Sequence, residues 1–314
     1  MMRLKTAVQS GLKKIGYTLI NTEQHNLNMN YYRDVLIESS KIVKEENIES
    51  IVFSKDRAIQ LHAFLLSYTQ KVRHYGPMYI LYRISDDRHK KSYEDLKKTF
   101  SLEPFVFIEE QQFRDQLLDI IKTSKAKTIG FYVDDMVFLR SVNYEDILKI
   151  TTLDNVVSLS RGKDMDYSIV LQRKIDLPTF TDLGNELLLF NWDQYDYLSD
   201  WTYPLGVSGY FYGRDELFVM FNQISFKAPN SLEMSMQKFR GFFKTRNGVC
   251  YETISCCCVH ANIVQTECVN PILGGFSIEG LLEKWEQGLM IDVSQFYGKL
   301  GSEAQFLNYS FVKR

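Results

Sequence analysis

The chain has 314 residues, 45% of them apolar and 24% charged, which is the profile of a folded globular protein and excludes the disordered and low-complexity classes. A formal net charge of −2 and a pI near 6.3 argue against a nucleic-acid-binding surface, so no nucleic-acid partner is expected and any anionic ligand must be held by a local cluster of cations. The five cysteines, Cys250, Cys256, Cys257, Cys258 and Cys268, have the spacing of neither a zinc site nor a disulfide framework and read as buried strand thiols in a reducing compartment.

In chain order, residues 1–45 form an N-terminal helical segment whose first twenty residues carry Arg3, Lys5, Lys13 and Lys14 and no acid. They lack the continuous apolar core of a secretion signal. Leu4, Val8, Leu12, Ile15 and Leu19 recur at helical spacing, so this helix either rests on an anionic membrane surface or packs on its own domain. No later stretch reaches the roughly 18 apolar residues of a membrane span.

Residues 46–314 are expected to form one α/β domain. Its strands are "SIVFS" (50–54), "MYILYRIS" (78–85), "PFVFIE" (104–109), "TIGFYVDD" (128–135) and "NVVSLS" (155–160). Helices fill the gaps; those over 56–72 and 113–122 place Leu61, Phe64, Leu65 and Tyr68, and Leu117, Ile120 and Ile121, on single faces. Strands alternating with helices imply parallel pairing through crossovers, with ligands beyond the carboxyl ends of the strands. Two runs place polar residues at that edge: "IVFSKDR" and "FYVDD". Unpaired carboxylates are costly to bury, so Asp134 and Asp135 should face a cation, basic groups or a reacting ligand.

From about residue 162 the rhythm breaks, and Phe190, Trp192, Tyr195, Tyr197, Trp201, Tyr203, Tyr210, Phe211 and Tyr212 crowd a loop-like region. They read either as a sugar-stacking surface or as core. No internal repeat or flexible linker marks a further boundary, and there is no phosphate-binding P-loop, nucleophile elbow or G-x-G-x-x-G.

In their order along roughly residues 48–310, "FSKDR", "AIQLHAFLLSY", "FYVDDMVF", "YPLGVSGYFYGRDEL" and "APNSLE" resemble bacterial glycosyltransferases of the nucleotide-diphosphosugar transferase (GT-A) superfamily, of the type that assembles surface polysaccharides. The resemblance implies a Rossmann-like, mostly parallel sheet flanked by helices, with a donor half over about 46–161 and an aromatic-rich acceptor half over about 162–314. It implies transfer of a sugar from a nucleotide diphosphosugar such as a UDP-sugar to a saccharide or lipid-linked saccharide, in the bacterial cytoplasm or at the inner face of the membrane. It also implies Mn²⁺ or Mg²⁺ at an aspartate motif, usually Asp-x-Asp, and hard oxygen ligands suit either ion. Here the motif reads Val133-Asp134-Asp135, so Asp135 is expected to be the direct ligand and Asp134 to contact ribose or a metal-bound water.

For the rest of the donor pocket, the resemblance assigns Ser54, Lys55, Asp56 and Arg57. Asp56 would accept from the base or cap the following helix, and Lys55 or Arg57 would approach the diphosphate. Glu233 stands where inverting relatives carry the catalytic base, with Asp164 and Asp166 as reserves. His260 is a third metal ligand, a phosphate contact or a structural histidine, and Asn262 and Gln265 are options for the acceptor. Two other readings stand beside this one: a catalytically inactive binding relative, kept open by the imperfect aspartate motif, and a sugar nucleotidyltransferase, which should have a glycine-rich loop that "FSKDRAIQL" lacks.

Overall fold

A computed structural model describes residues 12, 21–42, 44–151, 154–262 and 275–314. The chain divides into two compact units, residues 1–43 and 44–314. In the first, α1 (Thr22–Ser40) is a largely polar helix. The basic pattern from Leu4 to Leu19 lies outside the described residues apart from Leu12, and so do Gln265 and Cys268. Among the described residues, no helix is long and apolar enough to cross a membrane.

The second unit is α/β, built on a nine-stranded sheet. Its first strands are β1 (Glu45–Lys55), β2 (Met78–Arg83), β3 (Phe105–Glu109) and β4 (Ala126–Val133). They pair in parallel in the spatial order β4-β1-β2-β3. Ile51 and Val52 of β1 are both buried, as expected of a strand covered on its two faces. The crossovers are α2 (Ala58–Lys71), α3 (Asp87–Thr99) and α4 (Phe113–Thr123). On α2, Leu61, Phe64, Leu65 and Tyr68 are fully buried.

After β4 the chain makes β5 (Met136–Phe138) and then β6 (Asn155–Ser158), β7 (Thr181–Gly184), β8 (Leu187–Asn191), β9 (Tyr210–Gly213), β10 (Asn247–Tyr251) and β11 (Cys256–Cys258). The complete order is β7-β8-β10-β6-β9-β4-β1-β2-β3, so the sheet draws strands from both sides of residue 161. The strand expected at 155–160 does not pair with β4. Instead β9 is wedged between them, antiparallel to both, which leaves β6 pointing the same way as β1 to β4. The outer hairpin β7–β8 is antiparallel too.

The aromatic-rich stretch is mainly core. Phe190, Trp192, Trp201, Tyr210, Phe211 and Tyr212 are buried, and Phe190 meets Trp192 and Trp201 edge-on at ring-centroid distances of 4.6 and 5.0 Å. Phe190, Trp192, Trp201, Phe211 and Tyr212 therefore take the core reading, while Tyr210, though buried, also lines the cleft described below. Tyr197 remains exposed and Tyr203 reaches the cleft described below. Cys250, Cys256, Cys257 and Cys258 are free thiols, and burial raises the pKa of each.

On α2, His62 is buried, with its ring 5.5 Å from that of Trp285 in the helix Ile278–Glu286. Burial, with a smaller contribution from Arg314, lowers its pKa to about 4. The unfolded chain therefore takes up a proton near the ordinary histidine value while the folded chain does not, and stability should fall as pH drops from about 6.5 toward 4. Urea midpoints followed over that window should fall less steeply in His62→Phe than in the wild type; parallel profiles would assign the loss to other groups.

Candidate active site

Because β1, β2, β4 and β6 run the same way, their carboxyl ends share one edge. Residues at or just past those ends, Lys55, Arg83, Asp134, Asp135 and Arg161, line a cleft of about 750 Å³. The antiparallel β9 contributes from its amino end, through Val207 and Ser208. Gly209 makes that turn possible: its φ is +78°, and a Cβ would lie 3.2 Å from the Met136 side chain.

Asp134 is buried beyond the end of β4, where its amide donates to the Phe53 carbonyl at 3.1 Å. Its Oδ2 accepts from Ser54 Oγ at 2.8 Å and from the Lys55 amide at 3.3 Å, and its Oδ1 accepts from Arg57 Nη1 at 3.0 Å. The same Nη1 donates to Asp135 Oδ2 at 3.1 Å. Burial raises the carboxyl pKa of Asp134, the Arg57 charge opposes this, and Asp135 adds to the rise. The two adjacent acids of "VDDM" thus share one resident cation.

Arg57 is itself 8% exposed, and its Nη2 donates to the Asn262 carbonyl at 2.6 Å. Ser54 Oγ lies 2.5 Å from the Tyr93 hydroxyl of α3, whose ring stacks on Tyr82 at 4.7 Å. Nothing in the sequence singles out Tyr93. Its tyrosine type and helical register give no signal beyond core packing, and only the fold brings it to Ser54.

Several expected site residues are placed otherwise. Asp134 anchors Ser54 and Arg57 with its two oxygens; both acids line the cleft, and Asp135, with 12% of its side chain exposed, is the less buried of the two. Asp56 neither caps α2 nor lines the cleft. Its backbone is left-handed at φ +53°, and Ser85 occupies it, with the amide donating to Oδ1 at 2.8 Å and the hydroxyl to Oδ2 at 2.6 Å. The residue preceding α2 is Arg57, which makes no side-chain cap. Asp164 accepts from the Ile254 and Gly301 amides at 2.8 and 2.6 Å and so pins two loops. Asp166 is exposed and outside the cleft lining.

Glu233 does line the cleft. It lies in the second turn of α5 (Pro229–Met236), past the first turn, where a helix dipole acts most strongly. Tyr203 donates to its Oε1 at 3.1 Å and the Val207 amide to its Oε2 at 3.0 Å. Surrounding protein raises its carboxyl pKa above the ordinary range, against the opposing pull of these donors and of Arg161. Neither partner was anticipated, because both arrive on the loop before β9. His260, just past β11, and Asn262 also line the cleft. The Asn262 amide oxygen accepts from Gln60 at 3.2 Å.

The arrangement has a cationic and acidic wall at the ends of β1 and β4, and a raised carboxyl on α5 held by the loop before β9. Hard oxygen donors are present, but among the described residues no three His, Cys, Asp or Glu side chains cluster as a metal site. A divalent cation fits here only if Asp135 supplies a carboxylate oxygen and a ligand's own oxygens supply most of the remainder.

No family model matches the chain. It is 26% identical over 200 residues to the bifunctional glycosyltransferase pgtA of Dictyostelium discoideum, a match that covers 58% of this chain and 26% of that protein. The chain therefore matches about a quarter of the relative's length. Among solved structures, S. aureus TarS in complex with UDP-GlcNAc superposes with a TM-score of 0.40 at 13% identity, covering 66% of this chain and 56% of that one. A nucleotidyl transferase from Methanothermobacter superposes with a TM-score of 0.35 at 10% identity, covering 65% and 87%. Superpositions this loose carry no residue-by-residue correspondence. The chain is thus similar in sequence to a glycosyltransferase, the group its motifs resemble.

Proposed function

We propose that this chain, similar in sequence to a glycosyltransferase and resembling the GT-A type in its motifs, transfers a sugar from a nucleotide diphosphosugar to a saccharide or lipid-linked saccharide in surface-polysaccharide assembly, in the cytoplasm or against the inner membrane face. The observation that carries the reading is the convergence of Lys55, Arg57, Asp135 and Glu233 on one cleft at the carboxyl edge of the sheet, where open α/β sheets bind their ligands.

In this reading the diphosphate lies at the ends of β1 and β4. Arg57, with a fixed planar fork of donors, and Lys55, a mobile point charge, approach its oxygens. Asp135, together with the phosphates, would hold Mn²⁺ or Mg²⁺, which when bound would supply positive charge against that of the departing nucleoside diphosphate. Asp134 orients Arg57 and Ser54 without touching the ligand. Glu233 accepts the proton of the acceptor hydroxyl as its oxygen attacks the anomeric carbon; the raised pKa brings the base nearer to working pH. Tyr203 and the Val207 amide hold the carboxylate in place while each of its oxygens keeps a lone pair for that proton. His260 stands ready to contact a phosphate.

A thermal-shift screen of nucleoside diphosphates and nucleotide sugars, with and without Mn²⁺, tests the reading. One base should stabilise the chain in the presence of the ion, by about 2.7 kcal/mol at a ligand concentration 100 times its dissociation constant. Absence of a shift with every nucleotide sugar would reject it.

A further inference from the structure

The cation beside the aspartate pair is already there, and it belongs to the chain. Arg57 Nη1 lies 3.0 Å from Asp134 and 3.1 Å from Asp135. The guanidinium is nine-tenths buried and cannot lose its proton. The Asn262 carbonyl holds it from the other end at 2.6 Å. Two carboxylates facing one guanidinium leave a net local charge near −1, and the shared Nη1 sits where a metal ion would have to draw on both acids. A second positive charge entering alone would meet Arg57 at close range in a poorly screened setting.

We propose that Arg57 is a resident counter-ion that keeps the aspartate pair from binding a divalent cation until a diphosphate arrives, so that ion and nucleotide bind as a unit. The inference rests on the reading above that a cation enters beside Asp135. The diphosphate provides what the acids alone do not: its oxygens offer Arg57 an alternative bidentate partner. As the guanidinium turns part of its hydrogen bonding to phosphate, Asp135 is freed to share the incoming ion. Asp134 keeps Arg57 anchored throughout, since it is the more deeply buried of the two acids.

Direct titration of Mn²⁺, read from the loss of the free-ion electron paramagnetic resonance signal, tests this without any turnover. With no nucleotide present, Arg57→Gln should bind Mn²⁺ at least tenfold more tightly than the wild type. The double variant Arg57→Gln/Asp135→Asn should lose that gain. Equal affinity in wild type and Arg57→Gln would overturn the proposal, as would a gain that survives the double substitution. If Arg57→Gln fails to fold, as a melting scan would show, the wild type decides alone: its Mn²⁺ affinity should rise at least tenfold with a saturating nucleoside diphosphate present, and unchanged affinity would overturn the idea. Failure of any nucleoside diphosphate to bind the wild type would count against the proposed function, and the nucleotide-free comparison would still report on Arg57.

Discussion

Glu233→Gln should lower turnover by roughly 10² to 10⁴-fold while leaving nucleoside diphosphate affinity near that of the wild type. The amide keeps the size of the side chain, and its single carbonyl oxygen can still accept from the Val207 amide while its NH2 donates to the Tyr203 hydroxyl oxygen, the two groups that bond Glu233 at 3.0 and 3.1 Å, but it cannot take the acceptor's proton. The raised carboxyl pKa gives this prediction a pH signature. A base works deprotonated, so wild-type turnover should fall as pH drops through a value above the ordinary glutamate range, and that limb should vanish in the variant. Near-normal turnover in Glu233→Gln would remove this residue from the chemistry. Lost nucleotide affinity would place it on the donor side.

Asp135→Asn should weaken both nucleoside diphosphate binding in Mn²⁺ and turnover, the latter by at least about 10²-fold, because one ion serves ligand binding and leaving-group stabilisation together. The substitution also removes one of the two carboxylates bonded to Arg57, leaving Asp134 to balance the guanidinium alone, so the fold should survive. Calorimetry showing the same Mn²⁺-dependent affinity in Asp135→Asn and wild type would take Asp135 out of the site. Between them the two variants separate a defect in chemistry from a defect in donor binding.

The cationic and acidic wall at the ends of β1 and β4 was legible in the sequence because its signal is local. Continuous apolar runs such as "SIVFS" and "TIGFYV" mark strands covered on both faces, and a strand that ends in charged residues announces the ligand edge of a parallel sheet. That places Lys55, Arg57 and Asp135 near one another before any coordinate is known. The division of labour between Asp134 and Asp135 was not legible, since it depends on which carboxyl turns toward Ser54, a contact spanning 80 residues. Asp56 misled for a related reason: a residue beside a helix start suggests a cap, whereas its left-handed backbone at φ +53° carries the side chain to Ser85.

The side of the cleft around β9 and Glu233 was harder to read. β9 is only four residues long, and no periodicity reveals that it inserts antiparallel between β4 and β6. That insertion delivers Tyr203 and Val207 to Glu233 and buries Tyr210, Phe211 and Tyr212. Aromatic density in the sequence reports buried area without saying which face it covers, so a core cluster and a sugar platform look alike until the sheet order is known.

The most direct test is a crystal structure of the chain with Mn²⁺ and whichever nucleoside diphosphate gives the largest thermal shift. The diphosphate should lie at the carboxyl ends of β1 and β4, the ion in contact with Asp135 and with phosphate oxygens, and Arg57 should bond phosphate while still anchored by Asp134. A nucleotide bound away from this edge, or one whose phosphates leave Asp135 and Arg57 paired as they are now, would contradict it.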